Sequence, residues 1–141
     1  MTKEQYKYFP QTKDELRSLI EQRIKDEGNE VNLNDIDVSA ITDMSRLFQD
    51  LSFNSSNFNG NISDWDVSSV TDMSEMFYMC KRFNCDISKW NVSKVTNMTL
   101  MFDSCESFNQ DLSSWDVSKV QYKIDTFTDC PIKDEYKPKF K

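Results

Sequence analysis

Apolar positions recur in fixed columns along most of this chain, and the pattern repeats every 25 residues. From Asp66 the unit reads DVSSVTDMSEMFYMCKRFNCDISKW, and from Asn91 it reads NVSKVTNMTLMFDSCESFNQDLSSW. An earlier copy begins at Asp37 with four extra residues around 53–57, and a fourth begins at Asp116 and then decays. In register, Val38, Val67, Val92 and Val117 form one column, and Ile41, Val70, Val95 and Val120 the next. Met44, Met73 and Met98 follow, then Leu47, Met76 and Met101, then Phe48, Phe77, Phe102 and Phe127. Leu51, Cys80, Cys105 and Cys130 share a column; Phe58, Phe83 and Phe108 precede Ile62, Ile87 and Leu112, and Trp65, Trp90 and Trp115 close the unit. Self-similarity of this length predicts a solenoid in which each unit buries its apolar face against its neighbours, with these columns as core.

Within a unit, Met73, Met76, Phe77 and Cys80 fall at helical spacing, which predicts a helix over 71–83 capped by Thr71 or Ser74. Residues 84–90 hold few helix formers and one inward apolar residue, Ile87, so a short strand is expected there. Asp66 and Ser68 suit a corner. One strand and one helix per rung is an α/β architecture: a short right-handed solenoid of the leucine-rich-repeat type.

The ends differ from the middle. Thr12 followed by Glu15 is a capping-box pattern, and Leu16, Leu19, Ile20 and Ile24 recur at helical spacing before Gly28. A helix over 12–27 is therefore expected to cover the first rung, with a short strand at 31–33. The resulting organisation is an N-terminal cap at 1–36, an array at 37–130 (37–65, 66–90, 91–115 and a partial unit at 116–130), and a tail at 131–141. Lys123, Thr126 and Lys133 interrupt the apolar columns of the fourth unit, and the charged, proline-broken tail is expected to fray.

Charge narrows the partners. The net charge is −7, and residues 37–115 hold 5 basic and 11 acidic side chains. Such a field repels phosphate backbones and anionic lipid, so neither nucleic acid nor membrane is an expected partner. No run approaches the roughly 20 apolar residues that span a bilayer, and the N-terminal stretch lacks the apolar core of a signal peptide.

Candidate chemistry is sparse. The chain has no histidine, so a serine or cysteine nucleophile lacks its usual base, and no phosphate-binding or dinucleotide fingerprint is present. No enzyme activity, cofactor or metal site is expected. Cys80, Cys105 and Cys130 occupy one column shared with Leu51, which predicts buried free thiols. Cys85 replaces the Gln110 of the next unit and is expected to be the reactive thiol. Stacked Asn59, Asn84 and Asn109, with Asp86 and Asp111, are expected to bond turn backbone or form a ladder; calcium-binding rolls need more glycine than this chain has. Recognition is therefore expected at off-column positions: Asp64, Lys89 and Ser114; Ser69, Lys94 and Lys119; Cys85 with Gln110; and an apolar spot of Tyr78, Met79 and Leu100. The face at 84–90 and its copy at 109–115 is the first choice.

The W-D/N-V-S-x-V-T-x-M-x-x-M-F-x-x-C-x-x-F-N-x-D-I/L-S unit resembles the BspA-like leucine-rich-repeat proteins, and more closely the 25-residue repeat of mycoplasma-type surface lipoproteins, a domain of unknown function. The resemblance implies a bacterial surface or secreted protein engaged in adhesion or host interaction, with no catalytic residues to carry over. A monomeric protein-binding module is the expectation. The alternatives are a scaffolding repeat without a ligand of its own and, much less favoured, a hydrolase using paired carboxylates. The missing signal core leaves a cytoplasmic location as the alternative to the surface.

Overall fold

Thr12 does open a helix. In a computed structural model, which describes residues 5–51 and 55–141, α1 spans Lys13–Glu27. The Thr12 hydroxyl accepts from the Glu15 N–H at 3.1 Å. The Glu15 carboxylate reaches back to the Gln11 N–H at 2.7 Å, one residue beyond the usual capping-box partner. Gly28 closes α1 with φ 93°, and its N–H donates to the Ile24 carbonyl. Leu16, Ile20 and Ile24 are buried in the common core, each contributing about 1.5–3 kcal/mol. Polar contacts fix the helix on the first repeat and on the segment just before it: Lys13 Nζ reaches Asp43 and Ser45, and the Arg23 guanidinium reaches Asp35 at 2.8 Å and the Asn32 carbonyl at 3.1 Å.

The repeats stack, but they are not rungs of strand and helix. Among the described residues α1 is the one α-helix, and the strand content is confined to isolated parallel bridges such as Asp43 to Asp72, Asp72 to Asn97 and Asn97 to Tyr122. The expected leucine-rich-repeat solenoid is thus overturned, along with the helix at 71–83 and the strands at 31–33 and 84–90. Each repeat is instead a chain of tight turns, and the reason lies in a pentapeptide, D/N-Φ-S/T-x-Φ, where Φ is apolar.

Three such pentapeptides make up most of each repeat: DVSSV, DMSEM and DISKW between 66 and 90, and NVSKV, NMTLM and DLSSW between 91 and 115. NLNDI at 32–36 is a variant with asparagine at the third place. In each, the first side chain accepts from the backbone N–H two residues on. Asp66 takes Ser68 at 3.0 Å, Asp72 takes Ser74 at 2.9 Å, and Asp86 takes Ser88 at 3.0 Å. The fifth N–H then donates to the second carbonyl, as in Val70 to Val67, Met76 to Met73 and Trp90 to Ile87. An Asx turn nested in a β-turn captures the backbone groups that a helix would need. Both Φ side chains point inward, and that spacing imitates a helical face.

A second set of N–H groups, at alternate residues, bonds between repeats. Met73, Glu75, Phe77 and Met79 donate to the carbonyls of Asn97, Thr99, Met101 and Asp103, at 2.9 to 3.0 Å. Met98, Leu100, Phe102 and Ser104 donate in the same way to Tyr122, Ile124, Thr126 and Thr128. Holding this alternation requires left-handed backbone at Arg46 (φ 59°) in the first repeat and at two positions in each later one: Glu75 and Met79 (55° and 60°), Leu100 and Ser104 (59° and 62°), Asp125 and Asp129 (56° and 55°). None of these is glycine, so the ladder outweighs a cost of about 1–2 kcal/mol at each.

Aromatic stacks run along the core. Phe48, Phe77, Phe102 and Phe127 stack at 5.2, 5.5 and 5.5 Å between successive centroids, and Trp65, Trp90 and Trp115 at 6.4 and 6.5 Å. Each indole N–H donates to a backbone carbonyl one level back: Trp65 to Leu33 of the N-terminal segment, Trp90 to Ile62 and Trp115 to Ile87 of the preceding repeat. The C-terminal tail does not simply fray. A 3₁₀ turn at Asp134–Tyr136 lets the Tyr136 carbonyl accept from Leu112 N–H, while Ile132 and Pro138 are buried.

Candidate functional site

The scaffold consumes much of the polar inventory. The Asn59, Asn84 and Asn109 side chains form a ladder, each Oδ1 accepting one backbone N–H from the next level: Asn84 at 3.0 Å, Asn109 at 2.9 Å and Lys133 at 3.0 Å. Thr71 and Thr96 bond the Thr42 and Thr71 carbonyls across repeats. Hydroxyl and N–H bonds from Ser88, Ser113 and Ser118 hold the Asp86, Asp111 and Asp116 carboxyls below the usual range. Burial pushes the Asp43 carboxyl up, yet bonds from Ser45 and Lys13 together hold it low. Among the described residues no group of three or more His, Cys, Asp or Glu is arranged to hold a metal ion.

The thiols are free. Cys80 and Cys105 are fully buried, and Cys105 Sγ lies 2.9 Å from the Phe77 carbonyl. Burial pushes the Cys80 thiol up to about 12 and the Cys105 thiol higher still. Cys130 is half-buried. Cys85 is half-buried too, and burial raises its thiol as well. Its Sγ sits 3.7 Å from Asn61 Oδ1, an environment that disfavours the thiolate instead of activating it.

The off-column positions divide into two kinds. Asp64, Lys89 and Ser114 are exposed. Each takes the fourth place of its pentapeptide beside a stacked tryptophan, so they form one row across three repeats. Lys94 and Lys119 are exposed and Ser69 half-buried in the equivalent row of the first pentapeptide. Gln110, by contrast, donates to the Asn84 carbonyl and Oδ1 at 3.0 Å each and is part of the scaffold. Cys85 is too short for that bridge and borders a depression of about 420 Å³ with Asn59, Gly60, Asn84 and Asp86. A Cβ on Gly60 would lie 2.6 Å from the Phe58 ring and 2.8 Å from the Val31 carbonyl, so only glycine fits there.

The apolar spot is not a single one. Tyr78 and Met79 line a depression of about 360 Å³ with Gln49, Leu51 and Lys81, whereas Leu100 does not border it and is half-buried in the row of Arg46, Glu75 and Asp125. Tyr122 and Ile124 are further exposed apolar residues that the column pattern does not single out. They are 59% and 73% exposed. The signal was present, because YKIDT stands at 122–126 where the pentapeptide belongs.

No curated protein and no solved structure matches this chain. One family model does match, over residues 15–137, and its description is "Mycoplasma protein of unknown function, DUF285". That span takes in all but the first two residues of α1, all the repeats and the 3₁₀ turn of the tail. The chain belongs to this mycoplasma family, DUF285.

Proposed function

We propose that the protein is a non-enzymatic recognition module of a bacterial cell surface, binding a protein partner through the side of its repeat stack. One observation carries this reading. The positions that stay constant from repeat to repeat are buried or spent on turn and ladder bonds, while the row Asp64, Lys89 and Ser114 is exposed and different in every copy. A constant frame with a variable exposed row is how repeat proteins write specificity without altering their core. The resemblance to BspA-like surface proteins supports adhesion as the setting.

The test is binding of the folded domain to a panel of host extracellular-matrix proteins and to proteins of its own cell, set against the triple variant Asp64→Ala, Lys89→Ala, Ser114→Ala. Saturable binding that the variant loses at an unchanged melting temperature is the expected result. Binding that the variant retains in full overturns the assignment to this row.

A further inference from the structure

The two ends of the stack are finished differently. At the N-terminal end α1 is fixed on the first repeat through Lys13 and on the NLNDI turn before it through Arg23. At the other end the fourth repeat keeps the ladder geometry without anything to receive it. Asp125 and Asp129 are left-handed at φ 56° and 55°, as are Leu100 and Ser104 one level down. The carbonyls of Tyr122, Ile124, Thr126 and Thr128 accept from the third repeat. The N–H groups of Lys123, Asp125, Phe127 and Asp129 have no acceptor among the described residues, although their equivalents at Met98, Leu100, Phe102 and Ser104 all donate onward. Tyr122 and Ile124 stand exposed beside this row, where earlier repeats place an Asx–hydroxyl pair.

The tail covers this end without pairing it. The Lys137 ammonium lies 5.9 Å from the Phe127 ring centroid, on a ring whose column is otherwise continued by phenylalanine. Phe140 lies 5.6 Å from Lys123 Nζ, which also contacts the Lys141 carbonyl. None of these contacts supplies a carbonyl to the four N–H groups.

We infer that the C-terminal end of the stack is a docking edge for a repeat of this same 25-residue kind carried by a second polypeptide. Three internal junctions show the fit, and the edge continues them. An incoming unit equivalent to 91–115 would present the carbonyls that Asn97, Thr99, Met101 and Asp103 present to the second repeat, meeting Lys123, Asp125, Phe127 and Asp129 in turn. Its phenylalanine would replace Lys137 on the Phe127 ring. Parallel addition to an edge draws affinity from main-chain bonds and specificity from the side-chain columns. The tail competes with this docking and must be displaced.

The probe is a synthetic peptide of residues 91–115 added to the full chain, read by amide hydrogen exchange. A scrambled peptide and the variant Lys137→Ala, Phe140→Ala serve as comparisons. The expected result is slowed exchange at Lys123, Asp125, Phe127 and Asp129 with the native peptide alone, at lower peptide concentration for the variant. Unchanged exchange at these amides in both proteins overturns the inference, and so does equal slowing by the scrambled peptide.

Discussion

Trp90 Nε1 donates to the backbone carbonyl of Ile62 in the preceding repeat at 3.0 Å, while its ring lies between those of Trp65 and Trp115. One side chain therefore carries both a junction hydrogen bond and the aromatic stack. Trp90→Ala is expected to cost about 3–5 kcal/mol. Trp90→Phe keeps much of the packing and orphans the Ile62 carbonyl, for about 1–2 kcal/mol. Denaturant midpoints measure both, and an alanine variant that unfolds with wild type would remove the tryptophan column from the core.

Asp72 Oδ1 accepts from the Ser74 N–H at 2.9 Å and its hydroxyl at 2.7 Å. Asp72→Ala leaves that turn without its acceptor and should cost about 1–2 kcal/mol. Asp72→Asn should stay within about 0.5 kcal/mol of wild type, since Asn97 holds the Thr99 N–H in the same way at 3.0 Å. A large penalty for asparagine would mean that charge, and not turn geometry, is what this position supplies.

Leu100 is held at φ 59° with its N–H committed to Ile124. Asparagine tolerates the left-handed region and β-branched residues do not. Leu100→Asn is therefore expected to be more stable than Leu100→Val by at least about 1 kcal/mol, despite its lower hydrophobicity. Thermal melts of the two variants decide it, and the reverse order would contradict the backbone assigned to this turn.

Stability should be flat through neutral pH, since the chain has no histidine. The Asp43, Asp86, Asp111 and Asp116 carboxyls are lowered on folding. Their contribution is complete above the unfolded value of about 3.9 and is lost as pH falls through the lower folded values. The Cys80 and Cys105 thiols are raised by burial. Both folded and unfolded thiols are protonated below about pH 8.5, and above it the unfolded chain ionises first. Stability should then fall by about 1.4 kcal/mol per pH unit for each of these thiols. Urea titrations between pH 7 and 10 test this, and the double variant Cys80→Ala, Cys105→Ala should flatten the slope.

The apolar columns were legible in the sequence because each copy confirms the others, and the same holds for α1, whose cap and stripe are local. The turn structure was not legible from periodicity. Met73, Met76, Phe77 and Cys80 satisfy a helical pattern, but Met73 and Met76 are also the second and fifth places of one pentapeptide, and that i, i+3 spacing is common to both structures. What separates the two is the destination of the N–H groups of Met73, Glu75 and Phe77, and their acceptors lie 24 residues away. The left-handed residues gave no warning, because none is glycine. The aspartate and asparagine at the head of each pentapeptide were the available clue, pointing to Asx turns in place of helix caps. Among recognition candidates, the row at Asp64, Lys89 and Ser114 is exposed as expected. Gln110 reaches the Asn84 carbonyl and Oδ1 while Cys85 lies against Asn61, contacts set by neighbours one repeat away that no single copy of the unit displays.

The first repeat differs from the others in one respect with a practical consequence. Its ladder bonds run from Met44, Arg46 and Phe48 to Asp72, Ser74 and Met76, 28 positions apart, yet the Asn59 to Asn84 bond has returned to a separation of 25. The four additional residues are thus taken up wholly between Leu51 and Phe58, and both flanking columns keep their places. Length added between those two columns is therefore compatible with an unchanged register in the stack on either side.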